Sequence, residues 1–439
     1  MNILCILIDT LRADHLGCYG YTKPTSPHID RIASQGVLFE RAFAPGIPTQ
    51  PSHATLYTGR HPIVHNIVTH GGDADLSDEL PVLPETLQRA GYTTCAVDNL
   101  YDMKRWFARG YEFYINPGQR HRMGLMVSCE EINRRAASWL KAHAQEPFFL
   151  FVHYWDPHTP YIPPSAYRDL FYEGHDPYDP TNCSLDALDR QPLGRCWRET
   201  WFPKLGGPVT DAEYVIAMYD GEIRYVDEAV GALMITLEEI GMTEDTLVVI
   251  TSDHGESLLE HDILFEHHGL YDCTIRVPLI LRWPAGGWVD GRRVHEMVQL
   301  VDIAPTLIDV VGEKPSRGIE GRSLRPLLEG WTDDPPHKVV IAEECTWQAK
   351  WALRTDRHKF ILSREPDLHG MPMRELYDLQ MDPEETQNWI EQQPRLAAEM
   401  EAALEEWIQS MLVRHGLNDD PLRVQGITLG RRWREQQAA

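Results

Sequence analysis

Two acidic side chains and one imidazole stand where buried strands are expected to end. Asp9 follows the run ILCILI, and Asp253-His254 follows TLVVITS. Strands of a parallel sheet deliver whatever lies beyond their carboxyl ends into a shared cleft. Asp, Asp and His gathered there make a ligand set for one divalent ion, with a position open for substrate. A second cluster, Pro48-Thr49-Gln50-Pro51-Ser52-His53, is a proline-pinned loop leading into a helix expected near Ser52. A hydroxyl or a bound anion at a helix start gains from the dipole. Thr49, activated by a metal, is therefore a candidate nucleophile toward phosphorus or sulfur. The plainer readings are an N-cap for Thr49, a turn cap for Asp9 and a packed core residue for His254.

Further histidines cluster beside these groups. His158 lies in the loop WDPHTPY after the apolar run FFLFV, placed to bind an ester oxygen or protonate a leaving group. The pair His267-His268 comes shortly after Asp253-His254, and one of the two is expected to face a transferring group. Asn99, just beyond Thr94–Val97, is a weaker candidate for substrate contact.

Elements that position these groups follow from the pattern of the chain. Ile3–Ile8, Thr94–Val97, Phe148–His153, Leu247–Thr251 and Val277–Trp283 are short apolar runs that read as buried parallel strands. Helical patterns lie between them at Leu83–Ala90, Glu130–Ala144 and about Asp211–Ile240, the last with a Thr210/Glu213 capping box and Gly241 as its stop. The alternation predicts an α/β fold with a mostly parallel sheet covered by helices on both faces. Residues 172–208 are rich in Pro, Gly and Asp without a period, and read as an insertion, either a lid or a plain surface loop. Beyond Pro335-Pro336, three short strands (Val339–Glu343, Trp351–Arg354, Lys359–Ser363) and an amphipathic helix (Leu396–Leu412) predict a smaller antiparallel α+β subdomain. The expected division is a catalytic domain over 1–335 and a C-terminal unit over 336–439, whose Arg-bearing tail is either an oligomer arm or frayed.

Composition narrows the partners. Of 439 residues, 41 are Lys or Arg and 66 are Asp or Glu, a net charge of −25 that disfavours nucleic acid and anionic membranes. An anionic substrate must then meet its positive charge inside the site. No apolar run reaches a membrane span. The run before Asp9 lacks the basic flank of a secretory signal, and the eight scattered cysteines form no CxxC pair. A cytoplasmic protein with reduced thiols, acting on a small anionic ester, is expected; a homo-oligomer remains open.

The strings ILIDTLRADHLGCYG, PTQPSHATLYTGRHP, HYWDPHTPY, YDGEIRYVDEAVG and TSDHGESLLEHD, in this order over roughly residues 1–390, resemble the sulfatase family within the alkaline phosphatase superfamily. The resemblance implies a mixed α/β sheet with a smaller C-terminal antiparallel subdomain, a divalent metal, and a covalent intermediate on the PTQPSH loop. Two departures qualify it. Sulfatases carry Cys or Ser in a Cys/Ser-x-Pro-Ser-Arg loop, oxidised to formylglycine; here Thr49 and His53 take the Cys/Ser and Arg places, so no formylglycine is expected and His53 becomes an expected substrate contact. Many sulfatases pair adjacent aspartates with a later Asp-Asn around calcium, whereas Asp9-Thr10 with Asp253-His254 is similar to the phosphonate monoester hydrolase and phosphodiesterase branch. An imidazole ligand favours Mn²⁺ or Zn²⁺ over Ca²⁺. The expectation is one metal on Asp9, Thr49, Asp253 and His254, with a second possible. The expected function is hydrolysis of phosphodiesters or phosphonate monoesters through Thr49. The alternatives are a sulfatase in the strict sense and a non-catalytic binding protein on the same fold.

Overall fold

The structure is a computed structural model that describes residues 1–118, 127–174, 176–191, 193–332, 334–366 and 368–438. Nine strands come first: β1 (Asn2–Ile8), β2 (Val37–Phe43), β3 (Gly46–Ile47), β4 (Thr93–Val97), β5 (Phe113–Ile115), β6 (Phe148–Tyr154), β7 (Thr246–Thr251), β8 (Arg276–Arg282) and β9 (Arg292–Gln299). All but β3 form one sheet in the order β5-β4-β6-β1-β7-β8-β2-β9. Four strands follow, β10 (Val340–Glu344), β11 (Lys350–Arg354), β12 (His358–Ser363) and β13 (Arg374–Asp378), and make a second sheet in the order β13-β12-β11-β10-β3.

The large sheet separates two cores, and the alternation of strand side chains decides what each contains. Ile3, Cys5 and Leu7 face one core with Phe149 and Phe151 of β6 and Ala96 of β4. Leu4, Ile6 and Ile8 face the other with Leu150, Val152 and Val97. The first core is covered by the Thr49–Thr58 helix through Ala54, Leu56 and Tyr57, the second by the Ala212–Glu239 helix through Val215, Ile223 and Val226. The same alternation points Asp9 and Asp98, one step past the ends of β1 and β4, and His153 near the end of β6 to the same side as the Thr49–Thr58 helix.

Several expectations need correction. Val277–Trp283 was expected as a parallel strand, but β8 runs antiparallel to both β7 and β2. Its apolar run reports burial, not direction. Between β7 and β8 the chain has no crossover helix to carry it back across the sheet, so it returns beside β7 in the reverse sense. The Thr210/Glu213 capping box is not formed. Asp211 caps the helix by accepting from Glu213 N at 3.0 Å, while Thr210 Oγ1 donates to Asp179 O at 2.8 Å. Asp211, one residue closer to the helix, has the same capping chemistry and wins. Residues 172–208 are not a structureless loop: short helical turns seat Leu185, Leu188, Trp201, Phe202 and Leu205 in the second core (His175 and Pro192 lie outside the described residues).

The C-terminal tail is not frayed over its described residues. After the Pro394–His415 helix it forms two further helices, Pro421–Gln425 and Leu429–Ala438. Thr428 Oγ1 donates to His70 O at 3.1 Å and Gly430 N to Thr346 O at 3.2 Å, tying the tail to loops of both sheets. All eight cysteines are free thiols, and among the described residues no helix is long and apolar enough to cross a membrane.

Candidate metal and ester-hydrolysis site

At the carboxyl ends of β1 and β7, Asp9, Asp253 and His254 converge, each wholly buried, with one donor atom from each within 4.8 Å of the others. His254 Nε2 lies 3.4 Å from Asp253 Oδ2 and 3.7 Å from Asp9 Oδ1. None of these three atoms has a hydrogen-bond partner. Buried polar atoms are rarely left unpaired, and three aimed at one point fit a cation. The backbone sets this up. Gly255 leaves no room for a side chain, since a Cβ there would lie 2.0 Å from Cys273 O. His254 Nδ1 donates to Gly255 O at 2.9 Å, so Nε2 carries the lone pair a metal needs. Thr10 takes a left-handed φ of 54° and donates its N–H to Asp253 Oδ1 at 3.3 Å, coupling the β1 and β7 ends.

Electrostatics agree. Burial, together with repulsion from Asp9, pushes the Asp253 carboxyl well above its ordinary range. Burial also opposes ionisation of Asp9, but the His153 hydrogen bond and the nearby rings of His158 and His254 hold it below the usual carboxylate range. Burial and the neighbouring His267 keep His254 neutral. Two facing buried carboxylates and a neutral imidazole are relieved by a divalent ion.

Thr49 is the first residue of the Thr49–Thr58 helix and is 2% exposed. The helix thus starts three residues earlier than the sequence suggested. Ser52 Oγ donates to Asp253 O at 2.7 Å, fastening the first helical turn to the loop that holds Asp253 and His254. His53 lies one turn on. Its Nδ1 donates to Thr49 O at 2.8 Å, and it sits 3.9 Å from Asp253 Oδ2. Burial holds it neutral, down to about 4, and its Nε2 has no partner.

His158 and His267 meet across the mouth of this cluster. Their ring centroids are 5.0 Å apart, and His267 lies 4.8 Å from the His254 ring. His158 Nδ1 donates to Thr159 O at 2.6 Å, and burial lowers its pKa. For His267 burial opposes protonation, but Glu256, with Oε2 3.6 Å from Nδ1, outweighs it and raises the pKa to about 9. Of the adjacent pair, it is His267 that faces the cluster. His268 turns away to His369, Nε2 to Nε2 at 2.8 Å, and packs beside Trp347. Asn99 is buried and accepts from Trp155 Nε1, which ties it to the loop that leads to His158.

Sequence reasoning missed three members. His153 spans Asp9 Oδ2 (3.2 Å) and Asp98 Oδ1 (3.0 Å). Burial opposes its charge, yet these two carboxylates raise its pKa to about 10. Glu256 backs His267. His70, with Nδ1 unpartnered, lies near enough to His267 and His158 that they, after burial, depress its pKa to about 4. The strand phase was the available signal: His153 alternates with Phe149 and Phe151 toward the Asp9 side.

Comparison with known proteins matches residues 1–313 to the Sulfatase family. The chain belongs to the sulfatase family. Residues 260–412 also match the C-terminal region described for N-sulphoglucosamine sulphohydrolase. The chain is 26% identical over 436 residues to a delta 4,5-hexuronate-2-O-sulfatase of Bacteroides thetaiotaomicron, covering 93% of this chain and 88% of that one. It is 25% identical over 403 residues to a multifunctional alkaline phosphatase superfamily protein of Trinickia caryophylli, covering 76% and 78%. In fold it is similar to the phosphonate monoester hydrolase of Agrobacterium radiobacter, with a TM-score of 0.73 at 24% identity over 94% and 96% of the chains. It is thus a sulfatase-fold ester hydrolase, of a family that works with a divalent metal.

Proposed function

We propose that this sulfatase-family enzyme hydrolyses small anionic esters through Thr49, with a divalent ion held by Asp9, Asp253 and His254. The observation that carries the reading is the convergence of three unpartnered buried donor atoms beside a helix whose first residue is a threonine. A bound ion would supply Lewis-acid charge next to the Thr49 hydroxyl and the ester oxygens, and the imidazole in the set favours Mn²⁺ or Zn²⁺. The protein's own parts do the rest. The helix start presents N–H donors to an anion, and the neutral His53, its one N–H held by Thr49 O, keeps an unpartnered Nε2 lone pair. Thr49 Oγ passes its proton to the lone pair of a neutral imidazole of the site, His53 or His158, and forms a bond to the central atom as the ester oxygen leaves. His267, held protonated beside Glu256, supplies the proton the leaving alkoxide takes up. Water then opens the threonine ester.

Two readings divide over that central atom. The named relatives weigh toward sulfuric esters: besides the hexuronate sulfatase they include an N-acetylglucosamine-6-O-sulfatase and mouse iduronate 2-sulfatase. This is stronger support from likeness than the phosphorus reading has, although the Trinickia protein and the Agrobacterium hydrolase lend that reading some. The chemistry of residue 49 weighs the other way. Oxidation of a threonine hydroxyl yields a ketone, not the formylglycine aldehyde. An unmodified threonine cannot expel sulfate by breaking its own C–O bond, whereas its phosphate ester is opened by water at phosphorus. We therefore favour a phosphodiester or phosphonate monoester, with Thr49 unmodified. Rates on an aryl sulfate, an aryl phosphodiester and an aryl phosphonate, measured in Mn²⁺ and in Zn²⁺, decide the matter, together with the mass of the Thr49 peptide. A dominant sulfate rate establishes the sulfuric ester reading in its place. Hydrolysis of none of the three, with no metal bound, supports a binding protein instead.

A further inference from the structure

His153 is explained neither by the chemistry at Thr49 nor by packing. It occupies a fully buried position of β6, and the residues before it on the same face are Phe149 and Phe151. An apolar side chain would fill that place without the cost of burying an imidazole. Instead the ring bridges carboxylates on two different strands, 3.2 Å from Asp9 Oδ2 on one side and 3.0 Å from Asp98 Oδ1 on the other. Asp98 is itself immobilised. Its Oδ1 accepts from Asn99 N at 2.7 Å and Leu100 N at 3.1 Å, and its Oδ2 from Tyr114 OH at 2.9 Å. A line of hydrogen bonds therefore runs Tyr114–Asp98–His153–Asp9, from β5 through β4 and β6 to β1. It stops at Asp9 Oδ1, which has no partner and faces His254 Nε2 at 3.7 Å.

A carboxylate free at both oxygens offers a cation either one or two of them, in any rotation about its last bond. One held at Oδ2 offers only Oδ1. We propose that the Asp98–His153 pair is the positioning device of the metal centre, gripping Asp9 by Oδ2 so that Oδ1 alone meets the ion. The proposal rests on the reading of Asp9, Asp253 and His254 as ligands. His153 and Asp98 are positioning residues, acting through Asp9. Partners of this kind behind metal ligands commonly set affinity.

The test is Mn²⁺ titration, by calorimetry, of the chelator-treated full chain in the wild type, Asp9→Asn, His153→Phe and Asp98→Asn, with Mn²⁺ activation curves on an aryl phosphodiester. Circular dichroism checks the fold, and Asp98→Asn, which keeps the shape of the side chain, carries the test if His153→Phe does not fold. Asp9→Asn is expected to lose Mn²⁺ binding. His153→Phe and Asp98→Asn are expected to weaken it about 10–100-fold. Their activation midpoints move by the same factor. Wild-type Mn²⁺ affinity in folded His153→Phe and Asp98→Asn, with Asp9→Asn impaired, overturns the positioning role and leaves the ligand assignment standing. So does a loss of thermal stability with no midpoint shift. Unchanged affinity in Asp9→Asn removes the ligand assignment and the proposal together.

Discussion

The two sheets differ in how their buried charged groups are gathered. In the smaller sheet each buried cation is matched: Lys350 Nζ lies 3.0 Å from Glu375, Arg354 3.0 Å from Asp272, and Arg364 2.8 Å from Asp420. At the carboxyl edge of the large sheet, Asp9 Oδ1, Asp253 Oδ2, His254 Nε2 and His53 Nε2 are just as buried and have no partner. Matched buried pairs hold a shape, and breaking one is costly. Unmatched buried groups are tolerated where something else completes them. Glu343 of the smaller sheet is also buried without a partner, so it is the gathering of four such atoms from three segments, not a single orphan, that marks the edge of the large sheet.

Substitutions in the two regions should therefore fail differently. The largest effect is expected at Thr49. Thr49→Ala should cut turnover by at least about 10³-fold while metal content, measured by elemental analysis, stays at wild-type level. Residual turnover near wild type would remove the nucleophile from Thr49. Next comes His267. His267→Gln should lower kcat about 10²-fold, whereas His268→Gln should leave kcat in place; equal losses in both would erase the distinction drawn between them.

In the smaller sheet the expected loss is of stability. Lys350→Met strands the buried Glu375 and should cost about 3–5 kcal/mol in chemical denaturation, with kcat per folded molecule retained. A kinetic defect without a stability defect would contradict the contrast. The smallest effect is on pH. Asp156 and Glu222 are buried together, and burial lifts Asp156 from 3.8 to about 6 and Glu222 well above its ordinary value. Because the folded pKa is the higher one, this pair's contribution is whole below the unfolded value and fades as pH rises through about 6. Thermal melts from pH 5 to 8 should show that loss, and Glu222→Gln should flatten it.

How much of this was legible depended on whether a residue stood at a boundary or inside an element. Asp9, Asp253 and His254 sit where apolar runs stop, and were readable from the sequence. His153 sits inside FFLFVHY, where an imidazole among aromatics passes for core filling; only the phase of the strand gives it away. His267 and His268 are neighbours, and the turn that sends one to the site and the other to His369 depends on contacts more than 100 residues distant in the chain. The reversed direction of β8 was hidden for a related reason, since hydrophobicity reports depth but not sense. β2 (VLFERAF) and β9 (RRVHEMVQ) escaped notice because their charges break the apolar run that marks a buried strand.

One small strand has a wider consequence. β3 is only Gly46–Ile47, yet it pairs in parallel with β10, Gly46 opposite Glu343 and Ile47 opposite Glu344, two residues before Thr49. The segment that carries Thr49, the proposed nucleophile, is thus stitched into the far sheet, while Asp9, Asp253 and His254 hang from the near one. A chimera that exchanges residues beyond 335 for those of a relative would re-register Thr49 against Asp9, so that the reaction itself, and not only its substrate range, would be inherited across the seam.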